Sequence, residues 1–245
     1  MTTAALRVRE PYVVGLDLGQ AHDPTALAIV ERAPGATVAD PVAHLVRHLH
    51  RWPLWTPYPQ IVGNVHDMLD RPPLKGATAA LVVDATGVGR AVVDLFADAA
   101  LGVRLVPVTI TAGNDAHEGF EGWRVPKRDL VGVVQVLLQR RRLRIAKALA
   151  EAERLLEEME AFRVQITATG RDTYGAGPQG VHDDLVLAVA LACWWGDLVA
   201  SPQVEVVDDA PFDAWSPEAL QAEWERGHRV KRSKPKDREY PPEAF

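Results

Sequence analysis

Apolar residues in this chain gather in short runs broken by glycine, proline and polar clusters, a pattern that predicts strands and buried helices separated by turns. Tyr12 to Leu18 (YVVGLDL) and Ala26 to Arg32 (ALAIVER) flank the loop GQAHDPT, and each run predicts a strand. A turn around Pro34 and Gly35 leads to a third strand from about Val42 to His50, where AHLVRHLH alternates partially, as on a sheet with one wetter face. Three consecutive strands on short loops predict an antiparallel meander.

A helix is predicted from about Pro59 to Leu69, stopped by Pro72 and Pro73. The strand Ala79 to Asp84 follows, then a glycine turn (TGVG) feeding a helix that ends near Gly102, then the strand VRLVPVTI. Strand, helix and strand in succession predict a parallel crossover unit, so the fold class is a mixed α/β sheet flanked by helices. The polar, glycine-rich segment from Asn114 to Val125 predicts a loop close to the working face, and Pro126 the first position of a helix through about Gln139. Ala148 to Phe162 predicts a second charged helix and Arg163 to Thr167 a strand, after which TGRDTYGAGPQG reads as a flexible hairpin or loop.

That loop delivers the chain to its most informative stretch, VHDDLVLAVALACWW, residues 181–195. From Leu185 to Trp195 it is apolar all round, which predicts a helix buried against a sheet. Asp183 and Asp184 open this helix. Capping of the helix and its positive end is one reason for two acids there. A second reason comes from Asp17 and Asp84, each of which ends an apolar strand that stops at a glycine turn. If the first and fourth strands are neighbours, these two carboxylates lie side by side and the buried helix brings Asp184 across to them. Carboxylates so gathered raise one another's pKa. Hard divalent cations relieve that repulsion, and an all-oxygen site suits magnesium or manganese. Two such ions about 4 Å apart can activate a water and stabilise the leaving oxygen of a phosphodiester. The expectation is metal-dependent phosphodiester hydrolysis.

Composition narrows the alternatives. The 245 residues suffice for one large domain, and the lone cysteine, Cys193, excludes both a Cys-rich zinc site and a disulfide framework. No run reaches the roughly 18–20 apolar residues of a membrane span, and MTTAALRVREPYVV lacks the apolar core of a signal peptide, so an intracellular, non-secreted protein is expected. With 27 basic and 33 acidic residues the chain is unsuited to coating nucleic acid indiscriminately, although a local basic groove is compatible with that balance. Arg140, Arg141, Arg142, Arg144 and Lys147 cluster near the end of the predicted third helix, as a solvated face or as part of such a groove. Lys127 and Arg128 stand at that helix's N-terminus, where backbone N–H groups already favour phosphate. His182 either orients an acid or a water or makes a polar contact at the helix start. Residues 1–200 read as the folded domain; residues 201–245 read as an acidic linker, a short helix and a basic tail expected to be partly disordered.

Four segments in this order, GLDLGQAHDPTALAIV, VVDATGVGR, VPKRDLVGVVQVLLQRRRLRI and VHDDLVLAVALA, resemble the nuclease domain of the large terminase subunit of tailed bacteriophages. That domain belongs to the ribonuclease H-like, retroviral-integrase-like superfamily. The resemblance covers roughly residues 10–200. It implies a mixed sheet flanked by helices and a site for two magnesium or manganese ions that cuts concatemeric double-stranded phage DNA during packaging. By motif position it makes Asp17, Asp84 and Asp184 the catalytic metal ligands, with Asp23 and Asp183 as auxiliary acids. It further implies a packaging ATPase, a small terminase subunit and a portal as partners, and the cytoplasm of an infected bacterium as the setting.

One departure stands out. The chain has no G-x-x-x-x-G-K-(S/T) phosphate loop, so the resemblance extends to the nuclease without the packaging motor, which is either a separate chain or a missing half. GLDLG and VVDATGVG are also similar to the phosphate-binding segments of actin-like ATPases and sugar kinases, which need two such subdomains. A Holliday-junction resolvase or transposase with the same metal chemistry, and a non-catalytic DNA-binding packaging module, complete the alternatives.

Overall fold

In chain order the elements are β1 (Ala5–Val8), β2 (Tyr12–Asp17), β3 (Ala26–Ala33), β4 (Ala43–Arg51), α1 (Tyr58–Leu69), β5 (Ala79–Asp84), α2 (Gly89–Asp98), β6 (Arg104–Thr111), β7 (His117–Gly119), β8 (Gly122–Pro126), α3 (Lys127–Gln139), β9 (Leu143–Ile145), α4 (Ala152–Ala168), α5 (Asp184–Leu198) and β10 (Val204–Val207). The structure, a computed structural model, describes residues 5–8, 10–19, 22–35, 40–87, 89–168, 182–198 and 204–207. The chain divides into two compact units, Leu6–Val206 and a second formed by Met1–Ala5 with Val207–Phe245. The second falls almost wholly outside the described residues, as do the short helix and basic tail expected within residues 201–245 and the loop TGRDTYGAGPQG.

Eight strands form one mixed sheet in the order β7-β8-β6-β5-β2-β3-β4-β9, while β1 and β10 make a two-stranded sheet of their own. The expected meander is present: β2 pairs antiparallel with β3, and β3 with β4. The expected crossover is present too, with β5 parallel to both β2 and β6. Register fixes one row of residues across the sheet. Arg51 on β4 lies opposite Ala26 on β3, which lies opposite Asp17 on β2; Leu16 pairs with Val83, so Asp17 and Asp84 end neighbouring strands.

Strand alternation divides the apolar residues between two faces. Val14, Leu16, Leu81 and Val83 pack with Ile61, Val62, Val65 and Leu69 of α1 and with Val92 and Phe96 of α2. Val13, Ala80 and Val82 point the other way, into a core with α3, α4 and α5. By the same alternation Asp17 and Asp84 face α5. That helix is buried from Asp184 to Gly196, as its unbroken apolar character requires. It lies directly on β2 at Gly15, where an added Cβ would come within 1.9 Å of the Ala188 carbonyl oxygen.

Four details depart from the sequence expectation. Arg163 to Thr167 is not a strand but the continuation of α4. Its V-Q-I-T alternation is strand-like, yet no Gly or Pro separates it from the helix, so nothing stops the hydrogen-bond ladder. The segment from Asn114 to Val125 contains a β7–β8 hairpin rather than a loop alone, because β6 offers a free edge to β8 and Gly122 adopts φ 118° at the turn. Pro126 is the N-cap of α3 rather than its first helical residue. Leu143–Ile145 adds an edge strand, β9, parallel to β4, too short to register as a period in the sequence.

Gly15→Ala is expected to cost about 1–3 kcal/mol or more, because the new methyl meets backbone on a packed helix. Gly63→Ala, in α1 with nothing within 4 Å of the added carbon, is expected to stabilise by about 0.5–1 kcal/mol. Urea midpoints of the two variants should therefore move in opposite directions.

Candidate active site

The two strand-end acids are aimed by the pleat, and the helix acids by the seat of α5. From Gly15 to Asp17 is two strand residues, about 6.6 Å. From Ala188 back to Asp184 is four helical residues, about 6 Å. The two paths run to the same end of the sheet and finish nearly level, so contact at Gly15 brings Asp184 across from Asp17 and Asp84. Asp84 and Asp184 are buried, at 7% and 2% exposure, whereas Asp17 keeps part of its surface open.

Charge sets the behaviour of this group. Loss of water around Asp17, followed by the charges of Asp84, Asp183 and Asp184, pushes its pKa well above the ordinary carboxyl range. A hydrogen bond with Asp84 adds to this rise. Burial also raises Asp84, while hydrogen bonds from Thr86, the bond with Asp17 and the nearby Lys127 oppose the shift. The Thr86 amide donates to Asp84 Oδ1 at 2.7 Å, and the Thr86 hydroxyl is itself held by the Ile110 amide at 2.7 Å. Thr86 thus fixes the rotamer of Asp84 as well as shaping the glycine turn.

Two cations face the acids. Arg51 grips Asp184 with both prongs of its guanidinium, Nε at 2.6 Å and Nη2 at 2.9 Å. Burial raises Asp184, and this fork opposes the shift. Lys127 donates to Asp183 at 2.7 Å. Glu158 of α4, 4% exposed, accepts the Leu185 and Val186 amides at 3.0 and 3.1 Å, satisfying the first turn of α5 from a neighbouring helix. Burial, then repulsion from Asp184, pushes Glu158 up to about 8.

The sequence-derived candidates thus separate into groups. Asp17, Asp84, Asp183 and Asp184 come together. Asp23 and His182 form a pair, Nδ1 to Oδ1 at 3.2 Å, with Asp23 largely exposed. Lys127 lies against Asp183, and Arg128 is bound to the side chain and carbonyl of Asn114. Arg140, Arg141 and Arg142 follow the far end of α3, and Arg142 bonds Asp197 at 3.1 Å and the Val42 carbonyl at 2.8 Å. Asp197 is thirteen residues along α5 from Asp184, about 20 Å away, so this arginine cluster does not share the acids' location. Arg51 and Glu158 had escaped the sequence reading. Glu158 carried a signal, standing three residues after Leu155 and one before Met159 on the buried stripe of its helix. Arg51 carried one only through strand register, as the cation closing the third meander strand.

The donors suit a hard divalent cation: carboxylate oxygens only, with buried charge in excess of the cations beside it. Among the described residues no three His, Cys, Asp or Glu side chains are already gathered at ligating distance. Arg51 and Lys127 engage two of the four acids, and the other two, Asp17 and Asp84, hydrogen-bond to each other.

This is a ribonuclease H-like fold, a mixed sheet with its acids at one end of the parallel strands. Among solved structures it is similar to the large terminase nuclease from thermophilic phage G20c with bound magnesium, at 18% identity over 78% of this chain and 85% of that one, with a TM-score of 0.51. It is also similar to the human cytomegalovirus terminase nuclease domain, Mn soaked, at 14% identity over 80% and 90% of the two chains with a TM-score of 0.48. Thermus thermophilus RuvC aligns at 16% identity over 78% and 96%, with a TM-score of 0.38. No protein-family model matches the sequence, and no curated protein matches it. Among the described residues no helix is long and apolar enough to cross a membrane.

Groups whose folded pKa is raised bind protons more tightly when folded, so the stability they contribute is present below their unfolded pKa and lost as pH rises through the folded one. Without divalent ions the chain should therefore lose stability from about pH 4.5 upward through the Glu158 value of about 8. Glu158→Gln, which keeps an acceptor for the two amides, should flatten that loss in thermal melts between pH 5 and 9, about the window the shift spans. An unchanged slope would contradict the assignment to Glu158.

Proposed function

We propose that this chain is a metal-dependent endonuclease that hydrolyses DNA phosphodiesters, acting as a terminase nuclease on concatemeric phage DNA. The observation that carries this reading is the convergence of Asp17, Asp84, Asp183 and Asp184 on one end of a ribonuclease H-like sheet, with more acid than cation. Buried like charges cost stability, and a binding site for cations is the use that offsets that cost. The terminase motifs in their order, together with the likeness to the phage G20c nuclease, support the packaging setting. In that setting the partners are double-stranded DNA, a packaging ATPase carried elsewhere, a small terminase subunit and a portal, in the cytoplasm of the infected host.

Asp17, Asp84 and Asp184, with Asp183 beside them, would hold one or two magnesium or manganese ions, which when bound supply a Lewis acid for the attacking water and the leaving oxygen. Thr86 holds Asp84 in one rotamer, so that carboxylate needs little reorganisation. Burial and then the charges of Asp84, Asp183 and Asp184 raise Asp17, so cations held beside it would favour its ionised form. Arg51 and Lys127, positioned by Asp184 and Asp183, offer a guanidinium and an ammonium where an approaching phosphodiester carries its charge. Glu158 keeps the start of α5 in register with β2 without touching substrate.

Digestion of supercoiled plasmid with manganese or magnesium, against EDTA, tests this directly. Nicking and linearisation are expected only with the ions, and Asp17→Ala or Asp84→Ala should lower the rate by at least about a hundredfold, the loss of a charge-stabilising group. Undiminished cleavage by either variant would remove the assignment. Each variant should nonetheless melt at or above the wild-type temperature without ions, because it deletes a repelled carboxylate. Divalent ions should raise the wild-type melting temperature by mass action and the variants' far less.

A further inference from the structure

The turn that follows β4 carries a feature the metal site does not use. Trp52 is buried and bonds Asn64 of α1 at 3.0 Å, but three residues on Trp55 is 70% exposed. Trp55 also holds φ 66°, in a tight turn where the Thr56 amide and hydroxyl both reach the Pro53 carbonyl, at 3.3 and 2.6 Å. A positive φ at this third position of a turn favours glycine or asparagine. A large aromatic there is strained in backbone and wasted as core, so folding alone gives no reason for it.

Its location supplies one. The turn begins two residues after Arg51, the residue that grips Asp184 and shares a register row with Asp17. Trp55 therefore stands at the acid-bearing end of the sheet, on the meander side. From Pro41 to His66 the chain contains no Asp or Glu, and the guanidinium of Arg51 stands at the strand end from which the turn departs. Leu54 beside it is 42% exposed, so the tip of the turn presents apolar surface next to the Arg51 end of β4.

We propose that Trp55 is a base-stacking residue, whose indole receives an unpaired base of the DNA whose backbone passes the acids. This rests on the nuclease reading above and deepens it. Stacking needs a base free of its own stack, so the inference assigns the site a preference for DNA with unpaired nucleotides near the cut. At 70% exposure the indole stands open to such a base. Phe120, exposed at 96% on the β7–β8 hairpin, does not share this place, since Gly122 beside it lies against Pro107, below the level of Asp84.

Binding of a fluorescein-labelled, fully paired duplex and of the same duplex with an internal unpaired bubble, by anisotropy in magnesium, tests the proposal on the Asp84→Ala background. Trp55→Ala should weaken the bubble complex about tenfold and the paired duplex less than about twofold, and Trp55→Phe should keep most of the preference. Trp55→Gly should lose the preference as alanine does and yet melt no lower than its parent, since glycine relieves the positive φ. A purely structural tryptophan would instead lower the melting temperature on truncation and leave the bubble preference in place, which would overturn the proposal. Equal loss on both DNAs would overturn it too. If the chain with Trp55 intact neither cuts plasmid in manganese nor binds either DNA, the nuclease reading falls and this inference with it. If it does both and Trp55→Ala changes neither, only the role of Trp55 falls.

Discussion

The contact of α5 with β2 at Gly15 is the constraint on which the rest of this structure depends. Helix backbone touches strand backbone there, and the nearest groups on the helix, Ala188 and Ala192, are themselves small. With the separation fixed by van der Waals contact, the rise per residue of strand and helix decides what meets at the end. Two residues of one match four of the other to within about an ångström, so Asp17 and Asp184 arrive level. A larger residue at position 15 would lift the helix and open the acid cluster before any acid had changed.

That geometry creates an electrostatic problem that the chain only partly solves. Arg51 and Lys127 pair with Asp184 and Asp183, and burial with the neighbouring charges raises Asp17, which favours its neutral form. Glu158 adds a further acid beneath the helix start, itself pushed up to about 8. Its two accepted amide bonds favour the charged form, and burial against it prevails. The cluster is stable enough to fold because each acid has some partner, but the partners are provisional: a proton can leave and a flexible side chain can turn away. Apolar residues in the same places would give a more stable end to the helix.

Much of this was legible in the sequence because the informative residues sit where period changes. Asp17 and Asp84 interrupt continuous apolar strands at a glycine, and Asp183 and Asp184 interrupt a polar loop at the start of an apolar helix. Each break has a local cause that can be read without the fold. Thr86 was legible as a turn former but not as the support of Asp84, since that role depends on Ile110, 24 residues on in β6. Arg51 and Glu158 belong to the cluster only through register and helix packing. The hairpin at His117–Gly119 and Gly122–Pro126 forms because a neighbouring edge is free, a fact absent from its own polar, glycine-rich sequence. The extension of α4 through Thr167 went the other way, an unbroken ladder overriding a strand-like alternation.

The two ends of α5 separate structural polarity from functional polarity. At its C-terminal end Arg142 bonds Asp197, Arg32 donates to the Glu10 carbonyl, and Glu10 receives the Trp195 indole at 3.1 Å. His44, wholly buried nearby, is kept neutral by burial first and then by Arg142, its pKa lowered to about 4. Among the described residues two acids there meet Arg142, Arg32 and, over the Trp195 ring, Arg104, and the histidine adds no charge. At the N-terminal end, among the described residues, Asp17, Asp84, Asp183, Asp184 and Glu158 meet Arg51 and Lys127, with His182 close to Asp184. Polar groups that seat a helix need no excess of acids, as the far end shows. The surplus of acid at the near end is what favours the proposed cation site over a helix cap.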